Sequence, residues 1–208
     1  MFVHKETVND VIETNTYFYI DEVSKHGWLI DAGAQPEKLL ELIKQHDWQI
    51  EAILLTHGHF DHIGAVEKIS KTLNIPYKIH KAGKLLLEDA GFNLSQYCGR
   101  NIILKKAEYF ADGEEICLSE NPQAKLRVIH TPGHTPDSVV FYDAVNNVAF
   151  VGDTIFKNSV GNTAFPGGNE NILWQSIKNK IFTLPDKTLL YSGHSEETTV
   201  AEEKQRYM

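Results

Sequence analysis

The sequence predicts an α+β fold in which two mixed β-sheets face each other and helices cover their outer sides, an αβ/βα sandwich of four layers. The first observation is size, because 208 residues of which 42% are hydrophobic are enough for one large domain with a real core. The second is that strand and helix patterns alternate along the chain. The third is that this alternation occurs twice, which indicates two similar half-units with their sheets inside.

The first half of the chain alternates strands and helices in order. Short apolar runs that end at turn residues predict strands at 17–20, 28–31, 50–55 and 76–80. Apolar residues at helical spacing predict helices at 36–46, where Pro36 suits a first turn, and at 65–73.

The second half of the chain is richer in strands. Apolar or alternating runs predict strands at 126–130, 138–142, 148–151 and 188–191. Asn146 and Asn147 predict the hairpin turn between the second and third of these strands. An amphipathic helix is expected at 171–184, and a charged terminal helix at 196–207.

Charge and composition exclude several classes of protein. The chain has 20 basic and 28 acidic residues, a formal net charge of −8, which disfavours a nucleic-acid partner. No apolar run approaches the roughly 18–20 residues that span a bilayer, so no membrane partner is expected. The first residues lack the pattern of a signal peptide, and two cysteines imply no disulfide framework. These features predict a cytoplasmic protein.

The segment 56–62, Thr-His-Gly-His-Phe-Asp-His, carries the strongest chemical signal. It places His57, His59, Asp61 and His62 directly after a buried strand and before a helix. Imidazole nitrogens and carboxylate oxygens together suit zinc, iron or manganese. Alternate positions on an extended loop point apart, so the spacing favours two ions, one near His57 and His59 and another near Asp61 and His62.

Three further metal-binding candidates follow predicted strands, each directly after a glycine. They are His134 after Gly133, Asp153 after Gly152, and His194 after Gly193. A glycine lets the backbone approach a crowded site closely. A sandwich of two sheets would bring these strand ends to one edge, so we expect the three residues to join the segment 56–62 there.

These residues, in this order, resemble the metallo-β-lactamase superfamily over nearly the whole chain. The resemblance implies that one metal ion takes His57, His59 and His134. It implies that the second ion takes Asp61, His62 and His194, and that Asp153 bridges both ions. Asp31, in the segment Asp31–Gly33, resembles the aspartate that lies beneath the metal loop of the family and orients it by hydrogen bonds.

The mechanism that this resemblance implies needs no serine or cysteine nucleophile. Two divalent ions, zinc first and iron or manganese as alternatives, would share a water and lower its pKa toward about 7. The bridging hydroxide would attack a carbonyl carbon of a small-molecule substrate. Asp61 would steer that hydroxide as well as bind metal.

Within the superfamily, the sequence most resembles the glyoxalase II-like group, also called hydroxyacylglutathione hydrolase-like, and its short bacterial members in particular. The segments 15–17, 151–156, 159–168 and 184–199 carry this resemblance. Only 14 residues follow His194, so we expect a single domain over 1–208 without the helical domain that grips glutathione. Secreted β-lactamases are disfavoured because Asp153 stands where zinc-type members tend to have cysteine.

One loop departs from the group's pattern. Asn162 and Ala164 stand where the group usually has an arginine and an aspartate. Losing both members of an ion pair leaves no uncompensated charge, so we interpret the change as a paired replacement at the substrate mouth. Asn162 and Phe165 are the substrate contacts that we expect from this loop.

Three functional hypotheses remain open at this point. The first is a dinuclear hydrolase acting on small thioesters, S-acyl conjugates of a cellular thiol. The second is a mononuclear iron dioxygenase acting on persulfides, which would use the residues matching His57, His134 and Asp153. The third is a metal-binding protein without catalysis. The sequence leaves the oligomeric state undetermined.

Overall fold

Two six-stranded mixed sheets form the centre of the computed structural model, which describes residues 1–208. The strands of the first sheet lie side by side in chain order: β1 Phe2–Asn9, β2 Glu13–Ile20, β3 His26–Ile30, β4 Gln49–Leu54, β5 Tyr77–His80 and β6 Glu108–Phe110. The first three strands are antiparallel and the last four, β3 to β6, are parallel. Parallel neighbouring strands are joined by crossover connections, usually helices, and the helices predicted at 36–46 and 65–73 fall in such connections.

The second sheet is mostly antiparallel, with one parallel pair. Its strands are β7 Glu115–Cys117, β8 Lys125–His130, β9 Val139–Asp143, β10 Val148–Gly152, β13 Leu189–Ser192 and β14 Thr198–Thr199. Their spatial order is β14-β13-β10-β9-β8-β7, and only β10 and β13 run parallel. Two short strands between them in sequence, β11 Ile155–Phe156 and β12 Ser159–Val160, form a separate ribbon.

Six α-helices accompany the sheets: α1 Pro36–Gln45, α2 Phe60–Ile63, α3 Val66–Leu73, α4 Lys84–Glu88, α5 Glu170–Ser176 and α6 Val200–Tyr207. Helix α5 continues into a π-helical turn at Ile177–Ile181, and 3₁₀ turns occur at Lys81–Gly83 and Ser95–Cys98. None of these helices has both the length and the apolar character that crossing a membrane requires.

Three separate apolar clusters show that the sandwich has four layers. The first packs Leu39 of α1 and Ile69 of α3 against the first sheet. The second lies between the sheets and contains Trp28 and Phe141. The third packs the second sheet against α5 and α6, with Leu173 fully buried. Helix, sheet, sheet and helix therefore follow one another, which confirms the predicted fold class.

Strand β2 shows how one run of residues serves two of these clusters. Phe18 and Ile20 face the outer helices, whereas Tyr17 and Tyr19 face the second sheet. Successive side chains of a strand point to opposite faces, so this nearly unbroken apolar run is buried on both sides. The Tyr19 hydroxyl donates a hydrogen bond of 2.7 Å to Asp143 and so satisfies its polar atom inside the apolar layer.

The predicted terminal helix at 196–207 is wrong at its start. Residues 198–199 form β14, and the helix begins at Val200. The Thr199 side chain accepts from the backbone N–H of Glu202, whose carboxylate accepts from the backbone N–H of Thr199. This capping box fixes the helix start, and hydrogen bonds to β13 keep the preceding residues extended.

The structure also contains strands that the sequence does not predict. The longest is β1, which pairs with β2 along its full length from Phe2 to Asn9. It lies at a sheet edge and only one of its eight residues is buried, so polar residues such as Lys5 and Glu6 interrupt the apolar pattern. Edge strands lack the two-sided burial from which strand patterns are recognised.

Candidate metal centre

The structure brings all seven predicted metal-binding residues together where strands of both sheets end. Segment 56–62 follows β4, Asp153 follows β10, and His194 follows β13. His134 lies in the loop that leaves β8. The seven fall into overlapping groups of three in which all donor atoms lie within 4.8 Å of one another.

The first donor set consists of three buried histidines. Nε2 of His57 lies 3.1 Å from Nδ1 of His59, and Nε2 of His134 lies 3.3 Å and 3.0 Å from these two atoms. Three ring nitrogens therefore converge on one point. A triangle of nitrogens of this kind can place three lone pairs around a single ion.

The second donor set combines one carboxylate with two histidines. Oδ2 of Asp61 lies 3.1 Å from Nε2 of His194 and 3.6 Å from Nε2 of His62. His62 is fully buried, whereas about a fifth of the His194 side chain is exposed to solvent. This set is therefore the more open of the two.

Asp153 lies between the two sets and faces both. Its Oδ1 is 3.4 Å from Nε2 of His62. Its Oδ2 is 3.2 Å from Nε2 of His194 and 3.6 Å from Nε2 of His134. One carboxylate thus contacts residues of both donor sets, an arrangement suited to holding two ions side by side.

The outer nitrogens of His134 and His194 are fixed by backbone carbonyls. Nδ1 of His134 donates to the carbonyl oxygen of Asn162 at 2.6 Å. Nδ1 of His194 donates to the carbonyl oxygen of Glu13 at 2.8 Å. A proton held on Nδ1 leaves the lone pair of a neutral ring on Nε2, which is the nitrogen that faces the centre.

Asp31 fixes His62 and the start of the metal loop in the same way. Its Oδ1 accepts from the backbone N–H of Thr56 at 2.8 Å. Its Oδ2 accepts from the Thr56 hydroxyl at 2.6 Å and from Nδ1 of His62 at 2.9 Å. The Thr56 oxygen in turn lies 3.2 Å from Nδ1 of His57, so Asp31 orients rings of both donor sets.

Buried atoms without partners test whether the site suits metal ions. Nε2 of His62 and Oδ1 of Asp153 are buried 3.4 Å apart, and neither atom forms a hydrogen bond of good geometry. An unpaired buried polar atom costs about 1–3 kcal/mol, and more when charged. A cation placed among these donors would remove that cost, and nitrogen and oxygen donors suit zinc, iron and manganese. The residues present therefore fit divalent metal ions.

The first donor set is uncharged at neutral pH. Burial lowers the pKa of His57 well below its ordinary value, with repulsion from the neighbouring histidines in the same direction. Burial likewise lowers the pKa of His59 to about 3, and it lowers the pKa of His134. These rings are neutral, so their lone pairs are free to bind metal without prior loss of a proton.

The second donor set is strongly polarised by its carboxylates. Burial opposes charge on His62, but attraction to Asp61, Asp153 and Asp31 outweighs it and raises the pKa of His62 well above its usual range. For His194, burial is likewise outweighed by hydrogen bonds to Asp153 and Asp61, which raise its pKa to about 10. The two carboxylates create a field that favours positive charge here.

The glycines that precede the three strand-end residues are all crowded, as the sequence predicts. A Cβ on Gly193 would overlap Oδ1 of Asp153 and lie 2.7 Å from the ring of His62. Gly152 has a φ of +50° and packs against Thr56, while Gly133 packs against the backbone of Leu173. Only the absence of a side chain lets these segments meet.

Of the two expected substrate contacts in the loop after β12, Phe165 lies beside the donor residues and the Asn162 side chain does not. The exposed side chain of Asn162 accepts from the backbone N–H of Ala164 at 2.9 Å, and it is the Asn162 carbonyl that reaches His134. The Phe165 ring lies edge-on to the His59 ring, with 5.7 Å between centroids. Phe165 therefore borders the first donor set, whereas the Asn162 side chain is used within its own loop.

Two residues of the site escape prediction from the sequence. The Thr14 hydroxyl donates to Oδ2 of Asp61 at 3.2 Å, and Glu13 holds His194 through its backbone carbonyl. A carbonyl carries no signal in the sequence. Thr14 directly precedes the segment 15–17, which resembles the glyoxalase II-like group. No feature of the neighbouring sequence indicates that Thr14 contacts a residue 47 positions away.

The comparisons with known proteins agree with this geometry. Residues 10–194 match the family profile of the metallo-β-lactamase superfamily. The probable metallo-hydrolase YqgX of Bacillus subtilis is 37% identical over 93% of this chain and 90% of its own. The hydroxyacylglutathione hydrolase GloC of Haemophilus influenzae is 31% identical over 86% of this chain and 85% of its own.

Solved structures show the same architecture. The B3 metallo-β-lactamase BLEG-1 superposes with a TM-score of 0.91 at 36% identity, covering 98% of this chain and 97% of its own. TTHA1623, solved in a di-iron-bound form, superposes with a TM-score of 0.86 at 32% identity and covers 97% of both chains.

Proposed function

The chain belongs to the metallo-β-lactamase superfamily, and from that premise we propose that it is a metal-dependent hydrolase of small thioesters. The observation that carries the proposal is the position of Asp153, whose carboxylate faces both donor sets. A carboxylate in this position would serve a centre with two ions, which is the form that we propose. Zinc is the ion that we propose, with iron or manganese as alternatives.

Each donor set holds one ion in this proposal. His57, His59 and His134 would hold the first ion through three neutral rings. Asp61, His62 and His194 would hold the second, where the local charge favours a cation. Asp153 is shared between them, and Asp31 keeps the ring of His62 in the tautomer that binds metal.

The residues around the centre organise the attack on a carbonyl carbon. Bound divalent ions supply a water that ionises near neutral pH and Lewis-acid stabilisation of the developing oxyanion. Asp61 is held by the Thr14 hydroxyl. Burial opposes charge on its carboxyl, but the neighbouring histidines outweigh burial and lower its pKa, so it remains ionised. Its Oδ2 would accept a hydrogen bond from the attacking water and orient it. No serine or cysteine nucleophile takes part.

Thioesters are the proposed substrates for two reasons. The segments 151–156 and 159–168 resemble the glyoxalase II-like group, and the relative GloC is named as a hydroxyacylglutathione hydrolase. The lining of the site also includes the loop in which Asn162 and Ala164 replace the usual arginine and aspartate. We therefore propose hydrolysis of a thioester without assigning glutathione as the thiol.

Metal analysis followed by a substrate panel tests this proposal. Mass spectrometry of protein purified without added metal or chelator should give about two zinc ions per chain. The loaded protein should then hydrolyse acyl thioesters, with release of thiol as the readout, and a β-lactam should serve as the comparison substrate. Two bound ions together with β-lactam but no thioester turnover would contradict the thioester assignment.

The persulfide dioxygenase remains the alternative from a different reaction class. Iron occurs in a relative, since TTHA1623 was solved with two iron ions. About one iron per chain, visible absorbance and oxygen uptake with a persulfide would favour the dioxygenase. Metal without turnover in either assay would favour a protein that binds metal without catalysis.

A further inference from the structure

An apolar recess opens directly beside the first donor set. We call it the apolar recess and define it by Ile12, Phe60, Leu94, Tyr97 and Phe165. Its volume is about 390 Å³, within the range of small-molecule sites. His59 and Asp61, one donor from each set, form part of its wall.

The apolar recess exposes large hydrophobic side chains to solvent. Tyr97 is 71% exposed, Ile12 is 45% exposed and Phe165 is 38% exposed. They come from three distant parts of the chain: the turn between β1 and β2, the 3₁₀ turn before residue 99, and the loop after β12. Exposed apolar residues that are gathered from separate segments around a reactive centre mark a binding surface for apolar groups.

The charge of the apolar recess argues against an anionic occupant. No lysine or arginine lies in its wall, and its one acidic side chain is Asp61, itself a proposed metal ligand. A negatively charged acyl group would therefore enter a recess that has no lysine or arginine to pair with it. An uncharged hydrocarbon group would bury its surface at no such cost.

A second recess of the centre has the reverse character. It lies beside His194, has a volume of about 230 Å³ and no hydrophobic residue in its wall, and includes Lys5, Glu13 and Glu196. The donor residues thus border an apolar recess at His59 and Asp61 and a polar one at His194. A substrate held with its reacting carbonyl at the metals would therefore have an apolar recess for one part of the molecule and a polar recess for another.

We propose that the apolar recess binds the acyl group of the substrate, which makes uncharged alkyl thioesters the preferred class. This inference rests on the proposed thioester hydrolysis and adds the identity of the acyl group. Hydrolysis forms a bond between the acyl carbon and the oxygen of water and breaks the carbon–sulfur bond. The sulfur leaves with one proton as the thiol, and the acyl group leaves as a carboxylic acid.

A chain-length series tests the preference. Acetyl, butyryl and hexanoyl thioesters of one thiol are compared with lactoyl and succinyl thioesters of that thiol, using zinc-loaded protein. Burial of a methylene is worth about 0.8 kcal/mol, so kcat/KM should rise by about fourfold per added methylene until the recess is filled. Succinyl should be the poorest substrate. A flat series, or lactoyl as the best substrate, would overturn the assignment.

Ile12 and its neighbour Val11 provide a matched pair of variants. Both lie in the turn between β1 and β2 and both are about half exposed, at 45% and 52%, but only Ile12 lines the recess. I12E should lower kcat/KM for the hexanoyl thioester by at least tenfold, and by a larger factor than for the acetyl thioester. I12K should raise relative turnover of the succinyl thioester. V11E should leave the series unchanged, and an equal effect of V11E would refute the role of Ile12.

Calorimetry separates failure of this inference from failure of the proposed function. A thioether analogue with a hexyl group, which cannot be hydrolysed, should bind zinc-loaded protein with a negative heat-capacity change that I12E reduces. If no thioester is hydrolysed but this binding occurs, the thioesterase proposal is wrong and the recess still binds alkyl groups. If thioesters are hydrolysed and the alkyl analogue does not bind, the recess assignment is wrong.

Discussion

Oδ2 of Asp31 accepts a hydrogen bond of 2.9 Å from Nδ1 of His62, and both side chains are buried. This bond determines which nitrogen of His62 carries its proton in the neutral ring. The other nitrogen, Nε2, is directed at Asp61 and Asp153. A residue that does not face the centre thus decides whether His62 can act as a metal ligand.

Replacing Asp31 by asparagine should therefore weaken metal binding. The amide nitrogen of D31N would face Nδ1 of His62 and favour the tautomer with the proton on Nε2. Asparagine tolerates the positive φ of 55° at this position, so the backbone should be kept. Zinc affinity, measured by competition with a chromophoric chelator, should fall by about 10–100-fold.

The control for this variant is D143N. Asp143 is also a buried carboxylate that accepts hydrogen bonds, including one from Tyr19, but it is the last residue of β9, before the turn to β10. D143N should reduce the free energy of unfolding without changing zinc affinity. Equal zinc affinities for D31N and the unmodified protein would show that Asp31 does not control the His62 tautomer.

Removing Asp61 should eliminate the second ion and most of the hydrolysis. D61A leaves His57, His59 and His134 intact, so about one zinc per chain should remain. Loss of several kcal/mol of transition-state stabilisation predicts a decrease in kcat on the order of a hundredfold or more. Stoichiometry by mass spectrometry and thiol release check both expectations.

The matched control is D186A, which removes an aspartate whose side chain is 71% exposed and contacts Lys204 instead of any donor residue. Its metal content and activity should be unchanged. Full thioester hydrolysis by D61A would rule out the dinuclear mechanism and favour a centre with one ion.

A methyl group at residue 193 should disrupt the centre without removing any ligand. The Cβ of G193A would overlap Oδ1 of Asp153 and crowd the ring of His62. Both would shift, so we expect zinc binding to weaken by roughly tenfold or more. G113A is the control for added volume, since Gly113 has open space around it, although its φ of +83° adds strain that Gly193 lacks. Zinc affinity in G113A should match that of the unmodified protein, whatever strain the change adds.

The buried carboxyl of Asp137 should make stability depend on pH. Both oxygens are fully buried, and burial raises the pKa of Asp137 from 3.8 to about 7 against the smaller, opposing effect of polar groups of Thr135 and Gly58. A raised pKa in the folded state means that the folded protein binds this proton more tightly. Its contribution is therefore favourable at low pH and is lost as pH rises from about 4 to about 7.

Asparagine at 137 mimics the protonated acid at every pH. D137N should therefore raise the free energy of unfolding by on the order of 1–3 kcal/mol at pH 8, with no gain near pH 4. Urea denaturation of metal-free protein at several pH values measures the difference, and D186N, at an exposed site, should show none. A gain that is constant with pH would mean that Asp137 does not titrate in this range.

The sequence predicts most of the strands and helices, because the spacing of apolar residues follows from the local backbone geometry of each element. Phe18 and Ile20 alternate with Tyr17 and Tyr19, and this period of two results directly from strand geometry. The sequence does not predict edge strand β1, because a strand that pairs on one side and is mostly exposed or partly buried needs no regular apolar pattern.

The sequence by itself determined the kinds of donor, their spacing in 56–62, and the glycines that let the later donors approach. Only the tertiary structure decided how these donors are combined. Asp153 contacts both sets, and the carbonyls of Asn162 and Glu13 select the inward nitrogens of two histidines. Backbone carbonyls are the same in every residue, and contacts across 28 or 181 positions arise only when the sheets pack. Assembly of the apolar recess from distant loops has the same physical origin.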